Sequence, residues 1–455
     1  MSRAAQGLTR KASPAIQSST SAPADAGAAW ARVPVQRWKA IMKVSQAVSI
    51  EELRQLCRAR LPRIVFDWIE EGAGDESALR RNMESFLRYR FAPRYLRDVS
   101  TRTQDKEIFG STFSSPFGFS PTGMQGLIRG RAEVMMAEAA VEANLPYVMS
   151  GLTTTRMETV ARIAPNHLWY QPYPSADRRI IEGLVGRAAD CGISTLVITV
   201  DLPVEGKRLR SMRHRRGGRP NPSTYLDVFM HPGWLADYLQ NRPLLEDLAP
   251  YAPEGAKQRD LDVLFGDQYS AVRERQTWSD LEWFRRNWKG KLVVKGVLSP
   301  EDALLALNHG VDGVTVSNHG GRQLERAPAP LDVLPSVVQA VAGRIPVFLD
   351  SGIRRGADIV MALALGASFT FIGRAALYGL AAGGKAGVGR TIEILKSDID
   401  VVMGQIGRLT TVDLGPDCLL PADVDATAGL DAATSARLPA EDATAEPLRR
   451  KRLQR

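Results

Sequence analysis

The chain has 455 residues, with 59 basic and 50 acidic side chains, a net charge of +9 and 44% hydrophobic residues. This composition is typical of a globular protein and excludes a collagen-like or wholly disordered chain. Residues 1–50 contain seven basic side chains and one acidic side chain, so most of the excess charge lies at one end. A charge run of this kind predicts a solvated tail, and we expect no nucleic-acid partner.

Cysteine use and hydropathy indicate the cellular compartment. Cys57, Cys191 and Cys418 are far apart and form no CxxC pair, so the sequence predicts no disulfide framework, zinc site or attached haem. The sequence contains no apolar run long enough to span a bilayer and no signal-peptide core. We therefore expect a cytoplasmic protein, with any membrane contact peripheral and on the cytoplasmic face of the inner membrane.

Short apolar runs alternate with helical patterns along the middle of the chain. Residues 1–44 predict a disordered basic tail, and residues 416–455 predict a low-complexity C-terminal tail. Between the tails, eight runs are typical of buried parallel strands: 117–121, 146–150, 168–171, 195–201, 291–296, 312–318, 346–350 and 369–373. Helical spacing follows most of them, as at 300–310, where Pro300 favours a first helical turn. The sequence predicts an α/β protein whose residues 45–415 form a (β/α)8 TIM barrel.

One connection is too long for a simple βα unit. Residues 202–290, between the fourth and fifth predicted strands, predict an excursion that acts as a lid or contacts a membrane. Its segment 225–243 offers six side chains for one apolar face: Tyr225, Phe229, Trp234, Leu235, Tyr238 and Leu239. Five nearby arginines suit anionic headgroups: Arg208, Arg210, Arg213, Arg215 and Arg216. Contact with lipid and packing on the barrel or on a neighbouring subunit are both open at this point.

Polar residues stand where the predicted strands end, and a TIM barrel assembles its active site at that face. They are Thr122, Ser150, Gln171, Tyr173, Thr199, Asp201, Lys295, Ser317, His319, Arg322, Asp350, Arg354 and Arg374. The segment SNHGGRQLE, residues 317–325, places a base three residues before an arginine, with two glycines between them. His319 can take a proton while Arg322 grips a carboxylate with a bidentate fork, as oxidation of a 2-hydroxy acid requires.

Two glycine-containing turns follow the seventh and eighth predicted strands. They are LDSGIRRG, residues 349–356, and FIGRAAL, residues 371–377. Both open helices, where backbone N–H groups and the helix dipole favour an anion. With Arg354 and Arg374 beside them, the turns predict a phosphate site of the kind that TIM barrels carry at these strands.

Seven segments in this order and spacing resemble the FMN-dependent (S)-2-hydroxy-acid oxidases and dehydrogenases, with membrane-associated lactate and mandelate dehydrogenases the most similar members. They are SPTGMQG (120–126), YQPY (170–173), TVDLP (199–203), VVKGV (293–297), SNHGGRQLE, LDSGIRRG and FIGRA. The resemblance covers residues 45–412. It implies FMN as cofactor, no metal and a homotetramer, and it makes residues 45–415 an FMN-binding domain.

The resemblance also implies roles for individual residues. His319 would be the catalytic base and Asp201 its orienting carboxylate. Tyr173, Arg208 and Arg322 would hold the substrate hydroxyl and carboxylate. The cofactor would contact Thr122, Gly123, Ser150, Gln171, Thr199, Lys295, Ser317, Asp350, Gly352, Arg354, Gly373 and Arg374.

Three positions depart from the pattern of the oxidases. Trp68 stands where the family usually places a substrate-contacting tyrosine, and an indole is bulkier than a phenol and cannot accept a hydrogen bond. Leu152 stands where glycolate oxidases place a large aromatic residue, which predicts room for a larger substrate side chain. Gly123 stands where oxidases usually carry alanine, which favours a dehydrogenase.

The sequence thus predicts an enzyme that oxidises a lactate- or mandelate-like (S)-2-hydroxy acid and passes electrons to a quinone or another carrier. Three alternatives stay open: an oxidase that uses O2, an FMN-dependent barrel isomerase, and a flavin-binding relative impaired at Trp68. The convergence of Arg208, His319 and Arg322 on a carboxylate argues against the isomerase.

Overall fold

Eight parallel strands close into a barrel in the computed structural model, which describes residues 42–173, 178–216, 219–251 and 274–422. The strands are β1 (Phe117–Phe119), β2 (Tyr147–Ser150), β3 (Leu168–Gln171), β4 (Thr195–Thr199), β5 (Lys291–Val297), β6 (Gly313–Val316), β7 (Val347–Asp350) and β8 (Phe369–Ile372). Each pairs with the next in sequence, and β8 pairs with β1. All eight predicted strands and the TIM-barrel class are confirmed.

Some helices precede the first barrel strand in sequence, and the others surround the barrel. They are α1 (Ile50–Arg60), α2 (Arg63–Glu70), α3 (Ser77–Glu84), α4 (Ala132–Glu142), α5 (Met157–Ile163), α6 (Arg178–Asp190), α7 (Leu209–Arg213), α8 (Pro222–Phe229), α9 (Pro232–Gln240), α10 (Trp278–Asn287), α11 (Pro300–Asn308), α12 (Pro330–Val341), α13 (Gly356–Ala364), α14 (Arg374–Gly383) and α15 (Lys385–Gln405). Pro300 occupies the first turn of α11, as predicted, and the side chain of Ser299 accepts a hydrogen bond from Asp302 N.

Strand register brings the predicted site residues to one end of the barrel. Lys295 on β5 lies opposite Thr199 on β4, and Ser150 on β2 lies opposite Gln171 on β3. The opposite end is filled by an aromatic cluster that includes Trp169, Phe348 and Phe369. Because these strands are buried on both faces, the apolar runs predict them well.

The C-terminal boundary of the barrel domain needs correction. The sequence predicts a tail from residue 416 onward, but a strand, Leu419–Pro421, pairs antiparallel with another strand, Tyr89–Phe91. The side chain of Cys418 is 1% exposed, so this segment is part of the packed structure. Two further short ribbons pair Lys106–Ile108 with Ser111–Phe113 and Arg215–Arg216 with Arg219–Pro220. Of the tails predicted for residues 1–44 and 416–455, residues 1–41 and 423–455 lie outside the described residues.

The excursion after β4 does not present the single apolar face that the sequence predicts. Trp234 on α9 is 7% exposed, stacks on Tyr238 and donates its indole N–H to the carbonyl of Leu127. On α8, by contrast, Tyr225 and Phe229 are 52% and 69% exposed. The two helices therefore differ: α9 packs on the barrel, whereas α8 leaves apolar side chains exposed to solvent.

No helix among the described residues is long and apolar enough to cross a membrane.

Candidate active site

A cavity of about 540 Å³ opens at the carboxyl ends of the strands. Fourteen of the predicted site residues line it: Trp68, Thr122, Gly123, Leu152, Tyr173, Arg208, Lys295, His319, Arg322, Asp350, Gly352, Arg354, Gly373 and Arg374. The other predicted residues do not line the cavity: Ser150, Gln171, Thr199, Asp201 and Ser317. Of these, Asp201 and Ser317 contact residues that do line it, namely His319 and Lys295.

His319 and Asp201 form the hydrogen-bonded pair expected of a base and its orienting carboxylate. His319 Nδ1 lies 3.0 Å from Asp201 Oδ1, and the His319 backbone N–H donates to Ser317 Oγ at 3.1 Å. Burial lowers the pKa of His319, and the nearby cations Lys295 and Arg322 act in the same direction against Asp201. The imidazole therefore stays neutral at neutral pH, and Nε2 can accept a proton when Nδ1 donates to Asp201.

A tight backbone turn after β6 places His319 at the cavity. His319 has φ +56° and Gly320 has φ +68°, both in the left-handed region. The buried side chain of Asn318 donates to Asn82 Oδ1 at 2.6 Å and accepts from Gly321 N at 2.9 Å. These bonds hold the turn from both sides, which explains how a non-glycine residue keeps this conformation.

Lys295 is a buried cation beneath the cavity. Its Nζ donates to Ser317 Oγ at 2.9 Å and lies 3.2 Å from Asp350 Oδ2, and the residue is 4% exposed. Burial alone would lower the pKa of Lys295, but the carboxylates of Asp350 and Asp201 outweigh burial and raise it. Interaction with His319 and with Lys295 lowers the pKa of Asp201 although its burial acts in the opposite direction. A positive charge is thus fixed at the floor of the cavity.

Backbone carbonyls that no sequence motif indicates hold the side chains of Arg322 and Arg374. Arg322 Nη1 donates to the carbonyl of Trp68 at 2.8 Å, and its guanidinium lies 5.7 Å from the centre of the Trp68 ring. Arg374 donates to the carbonyls of Ile69, Glu71 and Gly320 at 2.9 to 3.0 Å. Carbonyls are common to all residues, so no sequence pattern marks them.

The cations crowd one side of the cavity. Burial, followed by the charges of Arg208 and Arg374, lowers the pKa of Arg322 well below its usual range. Arg208 Nη2 donates to Gln323 Oε1 at 3.3 Å, and its Nε is buried without a partner in the described part of the chain. An anion bound between Arg208 and Arg322 would relieve this repulsion, so the arrangement can hold a carboxylate.

The two predicted phosphate turns differ in their available donors. The backbone N–H groups of Arg354 and Arg355, before α13, are already bonded to Asp358 Oδ2 at 2.8 and 2.9 Å. Helix α14 has no side-chain cap at Gly373, so its first N–H groups remain available to an anion at the cavity. The backbone donors at the start of α14 are therefore available to an anion, whereas those of Arg354 and Arg355 before α13 are occupied and the Arg354 side chain lines the cavity.

Several cavity residues escaped sequence reasoning. Ser120 and Ser351 flank predicted positions and bond to Asp350 at 3.4 and 2.9 Å, so their place at strand ends could have indicated them. Leu245 and Glu205 line the cavity from the excursion, where no strand periodicity locates a residue. They enter the site only through the folding of that segment.

Comparison with known proteins identifies a family and relatives of this chain. The family model described as FMN-dependent dehydrogenase matches residues 57–421. The (S)-mandelate dehydrogenase of Pseudomonas putida is 39% identical over 391 residues, covering 84% of this chain and 96% of that protein. The L-lactate dehydrogenase of Vibrio parahaemolyticus is 37% identical over 373 residues, covering 81% and 97%. The crystal structure of monotopic membrane protein (S)-mandelate dehydrogenase superposes with a TM-score of 0.78 at 38% identity, covering 82% of this chain and 99% of that one.

The chain belongs to the FMN-dependent dehydrogenase family. It is therefore an oxidoreductase, and the predictions of family, enzyme class and FMN as cofactor are confirmed.

The residues present fit FMN. The hydroxyl of Thr199 and Asp201 Oδ2 are buried without partners in the described part of the chain, so polar atoms near the cavity await a ligand. A side chain at Gly373 would enter the cavity, since its Cβ would meet nothing closer than Thr122 Cγ2 at 3.8 Å. The cavity volume lies in the range of roughly 300–1,000 Å³ usual for cofactor and small-molecule sites. Lys295 and the start of α14 supply the positive charge that a phosphorylated flavin needs.

Proposed function

We propose that this protein oxidises an (S)-2-hydroxy acid with an apolar side chain to the 2-oxo acid. The observation that carries the proposal is the convergence of the His319–Asp201 pair with Arg208 and Arg322 on one cavity. A base and two cations in one cavity match a substrate that has a hydroxyl beside a carboxylate. The names of the mandelate and lactate dehydrogenase relatives support the same substrate class.

In this proposal the carboxylate binds between Arg208 and Arg322, and Tyr173 contacts the substrate hydroxyl. His319 Nε2 takes a proton from the substrate, and the resulting imidazolium is stabilised by Asp201 at 3.0 Å. Bound FMN supplies the chemistry of accepting two electrons from the substrate. Lys295 would hold a positive charge beside the bound cofactor and favour its anionic form, and Asp350 keeps the lysine protonated.

For the cofactor we propose the contacts that the resemblance implies. Ser150, Gln171, Thr199 and Ser317, with Thr122 and Gly123, would hold the ring, and Asp350 would hold the ribityl chain. Gly352 would also contact the cofactor. Arg354, Gly373 and Arg374 would hold the phosphate. Two observations support this division: Ser150 Oγ lies 3.3 Å from Gln171 Oε1 at the ends of adjacent strands, and α14 begins uncapped at Gly373.

The wall of the cavity supports a substrate side chain larger than hydrogen and apolar. Met124, Leu152, Leu202 and Leu245 all line it. Trp68 packs beside Arg322 and leaves that arginine's hydrogen bonds in place, which weakens the alternative of a catalytically impaired relative.

We further propose that electrons pass to a membrane quinone, with α8 in contact with the cytoplasmic face of the inner membrane. Leu226, Phe229 and Met230 are 66%, 69% and 69% exposed, a cluster that a soluble surface rarely carries without a function. Arg213 is exposed close by in sequence and would favour anionic headgroups. The crystal structure of a monotopic membrane protein among the relatives supports this placement. The homotetramer stays a prediction.

Anaerobic mixing with lactate, mandelate, glycolate and longer 2-hydroxy acids tests the proposal. We expect substrate-dependent bleaching of the flavin spectrum, faster with apolar side chains than with glycolate. Admission of oxygen then separates an oxidase, which reoxidises quickly, from a dehydrogenase. Absence of bleaching with every 2-hydroxy acid would refute the proposed reaction.

A further inference from the structure

One wall of the cavity comes from a segment that lies far, along the sequence, from the end of any barrel strand. Residues 241–251, here called the return segment, lead back from α9 towards the barrel. Leu245 in this segment is 7% exposed and lines the cavity, as Leu152 after β2 does. The return segment therefore supplies part of the apolar surface that meets the substrate side chain.

Close backbone approaches seat the return segment on the barrel helices. At Gly130 a Cβ atom would lie 2.5 Å from Asn241 Cβ, and at Gly183 it would lie 2.3 Å from Tyr251 Oη. These two glycines bracket the return segment and leave room only because they lack side chains. The position of Leu245 between them is thus built into the fold.

Buried polar contacts fix the centre of the return segment. Asp247 is 0% exposed, and its Oδ1 accepts hydrogen bonds from Met157 N at 2.9 Å and from Arg187 Nη2 at 2.8 Å. Arg187 Nη1 also donates to the backbone carbonyl of Asp247 at 2.9 Å. Asp247 lies two residues from Leu245, so a shift of Asp247 moves the wall of the cavity.

Burial and the nearby arginine have opposite effects on the pKa of Asp247. Burial raises the pKa of Asp247 to about 6 even though Arg187 opposes the shift. Glu158 also binds Arg187, at 2.7 Å, and Tyr251 bonds to the same guanidinium. Arg156 also pairs with Glu158 at 3.3 Å, and Cys191 interacts with Glu158, Arg187, Asp247 and Asp190. Below about pH 6 the carboxyl takes up a proton and its attraction to Arg187 weakens.

We propose that Leu245 sets the upper size limit on the substrate side chain, and that Asp247 and Arg187 are positioning residues that hold it there. This inference rests on the proposed oxidation of 2-hydroxy acids and assigns a specificity element to the same site. The strand ends then bind the parts that all such substrates share, while the return segment selects among side chains.

The first test compares two substrates in Leu245→Ala. The ratio of kcat/KM for 3-phenyllactate to that for lactate should rise by about tenfold or more, since a few methylenes in an apolar pocket discriminate on that scale. Leu245→Phe should lower the same ratio, which keeps the test informative if the alanine variant folds poorly. Oxalate has no side chain, so its dissociation constant should stay unchanged in both variants.

The second test addresses the positioning pair. Asp247→Asn and Arg187→Lys should relax the substrate ratio in the direction of Leu245→Ala without lowering kcat for lactate, and Arg187→Lys should have the smaller effect because it keeps the charge. Glu246→Gln, the adjacent acid, is the matched control and should leave the ratio unchanged. In the unmodified protein the ratio should be higher at about pH 5 than at about pH 8, since these values lie on either side of the Asp247 pKa. Asp247→Asn should abolish that difference. Titration of His319 affects both substrates and cancels in the ratio.

The possible failures are distinct. An unchanged ratio in both Leu245 variants with full FMN content would overturn the role of Leu245, and an equal shift in Glu246→Gln would overturn the positioning role. If no 2-hydroxy acid reduces the flavin, the proposed function fails. In that case the binding of phenylacetate and acetate, measured by flavin absorbance, tests the size limit. An unchanged ratio of their dissociation constants in Leu245→Ala would overturn it.

Discussion

The strand ends of the barrel and the excursion after β4 build the same cavity by different physical means. At the strand ends, Lys295 on β5 and Asp350 on β7 are both 4% exposed, and their side chains lie 3.2 Å apart. In the excursion, Arg208 makes one side-chain hydrogen bond, to Gln323 at 3.3 Å, and lies 3.9 Å from Glu205, which is 65% exposed. The first region is rigid because the strand ladder holds it, whereas the second depends on contacts between side chains.

Other side-chain contacts attach the excursion to α2 and to the turn after it. Ser211 Oγ donates to Glu71 Oε1 at 2.6 Å, and His214 Nε2 lies 2.7 Å from Asp67 Oδ2. They lie close to Trp68 and to the carbonyls that hold Arg322 and Arg374. The comparison teaches that a barrel can keep its chemistry fixed while a surface segment, joined by a few polar contacts, varies the substrate and the partner.

Loss of the base at the strand ends should have the largest effect. We expect His319→Gln to retain FMN but to lower the rate of flavin reduction by about 10²-fold or more, the usual contribution of a general base. Stopped-flow absorbance under anaerobic conditions measures the rate. His309→Gln, a histidine at the C-terminal end of α11, is the control. Near-normal reduction in His319→Gln would remove this residue from the proposed chemistry.

Loss of the anion clamp should follow in size. Arg322→Met should weaken oxalate binding by about 2 kcal/mol, roughly 30-fold, because a buried charge-assisted contact is lost. Titration of the flavin spectrum with oxalate gives the dissociation constant, and the exposed Arg326→Met is the control. Unchanged oxalate affinity would place the carboxylate site elsewhere in the cavity.

Changes on the surface of the excursion should affect membrane binding and leave oxidation of the substrate unchanged. Replacing Leu226 and Phe229 together by serine should lower binding to anionic vesicles about tenfold or more, as expected from losing two exposed apolar side chains. Cosedimentation measures binding, and flavin reduction by substrate should stay unchanged. Leu305→Ser, on α11, provides the control for a general loss of apolar surface. Equal binding of the double variant and the native protein would assign α8 to another partner.

Replacement of Gly123, which lies beside Leu152 at the strand ends, should have a smaller effect. Its φ is not in the left-handed region, so alanine carries no backbone strain there, and its Cβ would lie 2.9 Å from Leu152 Cβ. Gly123→Ala should therefore displace Leu152 and raise the rate of reoxidation by oxygen severalfold relative to a quinone analogue. Both rates are normalised to bound FMN. An unchanged ratio would remove Gly123 as support for a dehydrogenase over an oxidase.

The pH profile should give the smallest shift. Burial and nearby cations lower the pKa of His319, so kcat/KM should fall only as the pH drops through a value below the usual histidine pKa of about 6.5. In Arg322→Met one of these cations is absent, so the pKa of His319 should rise and the acid limb should move to higher pH. Movement to lower pH would contradict this electrostatic account.

Much of the barrel could be predicted because its signals are local. A parallel strand buried on both faces must be a short apolar run, and a TIM barrel places function at the strand ends, so β1 to β8 and His319, Lys295 and Asp350 follow from sequence order. The segment 416–421 was misassigned because its strand depends on pairing with Tyr89–Phe91, more than 300 residues away.

The sequence by itself determined the barrel, the family resemblance and the residue types at the strand ends, because periodicity and strand order encode them locally. Tertiary structure alone decided that α8 leaves its apolar side chains exposed while α9 buries Trp234. It also decided that Asp358 occupies the N–H groups before α13, and that Leu245 reaches the cavity. These outcomes depend on which surfaces meet across long sequence separations, and apolar spacing within one segment is the same whichever surface it finally meets.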